Sequence, residues 1–188
     1  MNKKKGNRMM KNVFKDIKVL NPVVFVDERG YFFESFSDKM NTALEQEYIQ
    51  DNHSFSYKNV VRGLHYQWDN PMGKLVRAAQ GTVVDYFVDI RHDSATYGEY
   101  DSIVLSAENK TTIWIPPGFA HGFETLSDEG AIVLYKCTAN YNKEGESGIN
   151  PLDRKIGIPW RTPRDKMILS EKDLNSQTLA AYSLHPKF

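Results

Sequence analysis

His65, Lys74 and His121 are the residues whose types and spacing could do chemistry. His65 lies in Arg62-Gly63-Leu64-His65-Tyr66-Gln67, with Lys74 and then Gly81 downstream. His121 lies in Pro116-Pro117-Gly118-Phe119-Ala120-His121-Gly122-Phe123. Two histidines, Gln67 and Lys74 directed into one cavity would match a metal site except at one position. There, an ammonium has donors only and no lone pair for a metal. Such a pocket suits acid–base work on a small polar molecule, since imidazole titrates near neutrality and can take or give a proton. The polar cluster around His65 is costly to bury without partners, which sets it apart from a histidine that only fills a core.

The elements that must position these residues are mostly strands. Apolar and β-branched runs bounded by turn residues fall at 23–26, 31–36, 49–56, 60–66, 74–80, 82–90, 99–105, 112–115, 121–125 and 131–138. Many short strands at this spacing predict a sandwich or barrel. A short helix is expected from Asp38 to Glu47, capped by Ser37 or Asp38. On the run Val83 to Asp89, alternation puts Asp85, Phe87 and Asp89 on one face, leaving Asp85 either lining a cavity or paired with Asp89 at the surface. From Asn142 onward the chain is rich in Pro, Gly and charge. A wrap of loops with one or two short helices is expected there, one of them capped by Ser170.

The 188 residues are enough for one domain with a sizeable core, expected over 11–188 behind a flexible basic tail at 1–10. The formal net charge of zero gives no global field favouring nucleic acid or an acidic membrane. No apolar stretch is long enough to span a bilayer, and the basic start lacks the apolar run of a secretory signal. The single cysteine, Cys137, excludes an intrachain disulfide and fits a reducing compartment, so a cytoplasmic protein is expected.

The order His65, Gln67, Lys74, Gly81, then Pro116-x-Gly118-x-x-His121 resembles the two motifs of the cupin superfamily, whose members are double-sheet jelly rolls. Metal-binding cupins place His, His, a carboxylate and a later His on the ion. Gln67 stands at the second histidine and Lys74 at the carboxylate, so no metal and no cofactor are expected.

A narrower resemblance rests on further motifs. They include Asp27-Glu28-Arg29-Gly30-Tyr31-Phe32-Phe33-Glu34-Ser35-Phe36, Gln50-Asp51-Asn52-His53-Ser54, Gly73-Lys74-Leu75-Val76-Arg77 and Val88-Asp89-Ile90-Arg91. Trp114-Ile115-Pro116-Pro117-Gly118, Leu134-Tyr135-Lys136-Cys137-Thr138 and Ile168-Leu169-Ser170-Glu171-Lys172-Asp173 extend it. Together, over roughly residues 18–175, these are similar to the dTDP-4-dehydrorhamnose 3,5-epimerase family. The resemblance implies inversion of C3 and C5 of a nucleotide-linked 4-keto-6-deoxyhexose through an enolate. It puts His65 in the role of base, Asp173 as the carboxylate that orients its ring, Lys74 beside the developing enolate oxygen and Tyr135 as the opposite-face acid. Tyr141 rivals Tyr135 as the acid and is otherwise a sugar-stacking residue. Arg62 and Arg29 match phosphate-binding positions, and Phe25, Glu34, Gln50 and Asn52 match nucleotide contacts. Gln67 and His121 complete the expected substrate site. Arg29 matches a position supplied by a neighbouring subunit, which implies a homodimer.

One segment departs from the family pattern. Where Trp-Asx-Asp is usual, this chain reads Pro151-Leu152-Asp153, within Gly148-Ile149-Asn150-Pro151-Leu152-Asp153-Arg154. The departure leaves open a same-fold epimerase acting at one centre, one acting on another nucleotide sugar such as a GDP-linked heptose, and a 3,4-ketoisomerase. A non-catalytic sugar-binding cupin is the reading outside enzymology.

Overall fold

The computed structural model describes residues 14–188; the tail expected over residues 1–10 lies outside them. Among the described residues there are twelve strands: β1 Lys18–Leu20, β2 Val24–Asp27, β3 Gly30–Phe33, β4 Gln50–Ser56, β5 Val61–Gln67 and β6 Lys74–Gln80, then β7 Thr82–Asp89, β8 Tyr100–Ser106, β9 Thr112–Ile115, β10 Phe119–Thr125, β11 Ala131–Cys137 and β12 Glu146–Gly148. Three short α-helices, α1 Asp38–Leu44, α2 Glu171–Leu174 and α3 Leu179–Tyr182, lie outside the sheets.

Two five-stranded antiparallel sheets face each other, ordered β1-β9-β6-β11-β4 and β12-β5-β10-β7-β8. β2 and β3 form a separate hairpin. The main core lies between the sheets. Val76, Ala78, Ile113, Ile115, Ala131 and Val133 from the first sheet meet Val83, Phe87, Leu105, Phe119 and Phe123 from the second. Strand alternation produces this: residues two apart on β6, β9 and β11 share the inward face. Continuing that face along β6 and β11 brings in Lys74, Tyr135 and Cys137, so the apolar core grades into a polar end.

A second apolar layer covers the outer face of the other sheet. Leu64, Tyr66, Val88, Ile90 and Ala120 pack under Ile149, Ile156, Leu179 and Tyr182 from the C-terminal wrap. The wrap is therefore held by burial as well as by hydrogen bonds. Fully buried Glu124 accepts from the backbone N–H groups of Arg161 and Thr162 and from the Tyr86 hydroxyl.

Several sequence expectations change in detail. The second predicted strand stops at Phe33, because Glu34 leaves the hairpin and accepts a hydrogen bond from the Ser37 hydroxyl. That bond takes the Ser37 side chain away from α1, which begins at Asp38 without a side-chain cap and ends at Leu44. The three-residue strands β1 and β12, too short to show alternation, were not expected. The C-terminal wrap carries two α-helices and a 3-10 turn at Arg164–Lys166. Asp85 and Asp89 are both fully buried, which excludes the surface-facing pair. Asp89 is satisfied by Arg91, Ser94 and Thr96, while Asp85 faces the polar end of the core beside His121.

Candidate active site

β5 and β10 bring the two histidines together. His121 is the register partner of His65, and a bulge follows before Phe123 pairs with Arg62. The strands meet there at glycines. A Cβ on Gly63 would lie 2.5 Å from the Gly122 Cα, and one on Gly122 would lie 2.2 Å from the Arg62 carbonyl oxygen. Neither position can carry a side chain without moving backbone.

His65 is tied from outside its sheet. Its Nε2 lies 2.6 Å from Asp173 Oδ1, on α2. Ser170 caps α2 by accepting from the Asp173 N–H at 3.1 Å. Burial works to raise the Asp173 carboxyl, but the contacts with His65, Ser170 and the Gly63 N–H outweigh it and hold the group below its ordinary value. Asp173 therefore stays a carboxylate next to the ring.

His121 makes a parallel arrangement deeper in the core. Its Nδ1 lies 3.4 Å from Asp85 Oδ1, and Asp85 Oδ2 has no hydrogen-bond partner among the described residues. Burial, then the charge of Lys74, push the His121 imidazole below its ordinary value against the pull of Asp85.

The opposite sheet supplies Lys74 and Tyr135. Gly73, whose missing side chain leaves room for the Trp114 ring, immediately precedes β6, whose first residue is Lys74. The Lys74 ammonium lies 5.9 Å from the centre of the Tyr135 ring. Among the described residues it is influenced by burial and by nearby charges and by no hydrogen bond. Burial pushes it below its ordinary value, and Cys137, Asp85 and Glu146 pull it partly back. Tyr135 is raised, by burial first and then by Cys137, so its phenol keeps its proton at neutral pH. The Cys137 thiol sits beside both and accepts from Asn52 Nδ2 at 3.4 Å.

The remaining expected residues divide by place. Arg62 is exposed and donates to Ser56 Oγ at 2.9 Å and to the Phe55 carbonyl at 3.2 Å. Asn52 is the register partner of Tyr135 and takes a hydrogen bond from Gln50. The Gln50 amide oxygen accepts the Tyr141 N–H at 2.7 Å. Gln67 is buried with its amide committed to backbone: it donates to the Asn70 and Asn140 carbonyls and accepts the Asn142 N–H. It thus fixes the loop carrying Tyr141. Phe25, Arg29 and Glu34 are exposed, in or just after the β2–β3 hairpin and apart from this cluster. Arg29 there is paired with Asp27 across the turn.

Glu146 and Lys172 are nearby groups that the sequence did not single out. Glu146 accepts the Tyr141 hydroxyl at 2.9 Å and pairs with Lys172, next to Asp173, at 2.6 Å. The pairing of Glu146 with Gln67 on β5 puts it within electrostatic reach of His65. The only signal was its closeness in sequence to Tyr141. Among the described residues no group of three or more His, Cys, Asp or Glu side chains is arranged to hold a metal.

Two antiparallel sheets enclosing a polar pocket define a cupin. The family model for dTDP-4-dehydrorhamnose 3,5-epimerase matches residues 11–181. A relative of that name from Methanothermobacter thermautotrophicus is 46% identical over 175 residues, 92% of this chain and 94% of the relative. The solved dTDP-6-deoxy-D-glucose-3,5-epimerase of Legionella pneumophila, in complex with dTDP-4-keto-L-rhamnose, is 43% identical with a TM-score of 0.83, covering 88% of each chain. A double mutant of a 3'-monoepimerase from Streptomyces bikiniensis, in complex with dTDP, is 28% identical with a TM-score of 0.83, covering 90% of this chain and 86% of that one. The chain belongs to the dTDP-4-dehydrorhamnose 3,5-epimerase family.

Proposed function

We propose that this protein inverts C3 and C5 of a dTDP-linked 4-keto-6-deoxyhexose, converting dTDP-4-dehydro-6-deoxy-D-glucose to dTDP-4-dehydro-L-rhamnose. The observation that carries the reading is His65 on one sheet, paired with Asp173 of α2, with a cation and a phenol supplied by the other sheet. The 4-keto group acidifies the carbons on either side of it. His65 removes a proton, and Asp173 fixes its ring and stabilises the imidazolium. Lys74, with no protein partner for its ammonium among the described residues, stabilises the enolate oxygen. Tyr135 returns a proton from the opposite face, which inverts the centre. The Streptomyces double mutant is altered at a histidine and a tyrosine separated by the same length of chain as His65 and Tyr135.

Arg62, Gln50, Asn52, His121 and Tyr141 form the substrate wall in this reading, with Gln67 holding the Tyr141 loop. Phe25, Arg29 and Glu34 act on the site of a second subunit, which makes the protein a homodimer. Support comes from the hairpin, where Phe25, Val26, Tyr31 and Phe32 are all more than half exposed. The site draws on both sheets and the C-terminal wrap, consistent with one functional domain over 11–188. No helix of the described residues is long and apolar enough to cross a membrane. The free thiol of Cys137 and a nucleotide-linked substrate suit the cytoplasm.

The likeness to a 3'-monoepimerase favours one second reading, inversion at a single centre. Incubation with dTDP-4-dehydro-6-deoxy-D-glucose in deuterium oxide, followed by NMR, separates them. Deuterium at both C3 and C5 is expected. Deuterium at one carbon supports the second reading, and none on bound substrate contradicts both.

A further inference from the structure

The segment that departs from the family pattern touches the base through a short chain of contacts. Gly148 is the register partner of His65, and Ile149 exchanges backbone hydrogen bonds with Leu64 at 2.9 and 3.1 Å. The next residue, Asn150, is therefore anchored to the strand that carries His65. Its side chain reaches the other way. Nδ2 donates to the Leu174 carbonyl at 2.8 Å, and the Asn150 backbone N–H donates to the Gln177 carbonyl at 2.8 Å.

Leu174 ends α2, the four-residue helix whose only buried residue is Asp173. So short a helix is not held by its own hydrogen bonds, and its last carbonyls have no partner within it. Ser170 caps the start of α2, and Asn150 ties down its end. Asp173 lies between the two ties.

The departing residues fix the Asn150 amide in place. Asn150 Oδ1 accepts the Leu152 N–H at 2.8 Å, and its backbone carbonyl accepts the Asp153 N–H at 3.0 Å. Pro151 between them has a preset φ. The side-chain oxygen is thus used by the turn, which leaves Nδ2 directed at α2.

We infer that Asn150 is a positioning residue for the reaction, setting the seat of Asp173 and, through it, the ring of His65. The inference rests on the proposed role of His65 and assigns a use to the one segment where this chain leaves its family's pattern.

Asn150→Asp tests it. The variant keeps the acceptor that the turn needs and replaces the donor to Leu174 with an oxygen. Asn150→Ala, which brings no repulsion, is the second variant should Asn150→Asp fail to fold. Three readouts are compared with the unaltered protein: dTDP affinity, the rate of deuterium entry into substrate, and the NMR signal of the His65 ring proton shared with Asp173. Expected are unchanged dTDP affinity, exchange slowed by roughly ten- to a hundredfold as misplacement of a reacting group implies, and loss or broadening of the ring-proton signal. Exchange within about twofold of the unaltered rate, about 0.4 kcal/mol, overturns the inference. So does a loss of exchange matched by lost dTDP affinity, since that is general disruption. If the unaltered protein exchanges no deuterium, the functional reading fails on its own, while the ring-proton signal still reports whether Asn150 seats Asp173.

Discussion

At the residue scale, the pocket joins side chains that lie far apart in sequence. Asp173 is more than a hundred residues from His65, yet their side chains meet at 2.6 Å. The charge of Lys74 depends on its surroundings. Burial depresses its pKa, and the carboxylate of Asp85 is one of the charges that pull it back. The enolate role needs the ammonium, so activity must fall as pH rises through the depressed value. Removing the Asp85 charge takes away an attraction that favours the protonated form, so the pKa falls further. Asp85→Asn should therefore move the alkaline limb of kcat against pH to lower pH; an unmoved limb, or one moved upward, would count against the role given to Lys74. Much of this was legible in the sequence. A lysine at a metal-ligand position and two histidines in paired motifs were visible as residue types. Asp173 was reachable only through resemblance, because nothing local marks a carboxylate on a four-residue helix as the partner of a distant ring. Gln67 shows the converse: it stands in the expected motif, but its amide is spent on holding a loop.

At the element scale, the site depends on how closely β5 and β10 approach. Their glycine contact draws the two histidine-bearing strands together at the bulge. Gly122→Ala would drive a methyl group into the Arg62 carbonyl. A loss of about 1–3 kcal/mol, as overpacking of a tight contact costs, is expected in denaturant unfolding, together with reduced exchange activity. An unchanged midpoint with full activity would show that the approach is not required. Long strands such as β6 and β7 were legible as apolar, β-branched runs bounded by turn residues. β1 and β12 were not, since three residues give no period to read. β12 matters most among these, because it carries Glu146 and leads into Asn150.

For the whole molecule, the exposed apolar side chains on both faces of the β2–β3 hairpin need an explanation. Phe25, Val26 and Phe32 are 62%, 77% and 70% exposed, while Arg29 at the same tip pairs only with Asp27 among the described residues. A hairpin that completes a neighbour's site accounts for both. If the hairpin builds the proposed homodimer, Val26→Asp combined with Phe32→Asp shifts the protein to monomer in sedimentation velocity. It should also weaken dTDP binding by roughly tenfold, about 1.4 kcal/mol. A dimer that survives these changes with full affinity would remove the hairpin from the interface. A sandwich or barrel was legible from strand number and spacing, and the jelly roll through the resemblance to cupin motifs. The outward projection of the hairpin was not, because its strands carry the same aromatic residues that would mark a core.

The proposed reaction turns on His65 acting as the base. Its most direct test is deuterium entry into dTDP-4-dehydro-6-deoxy-D-glucose, measured by NMR for the unaltered protein and for His65→Ala under matched dTDP saturation. General base catalysis is worth on the order of 10² to 10⁴ in rate. Exchange at C3 and C5 is expected in the unaltered protein, with a loss of at least that order at both carbons in the variant. Exchange in His65→Ala within a few fold of the unaltered rate would contradict that role.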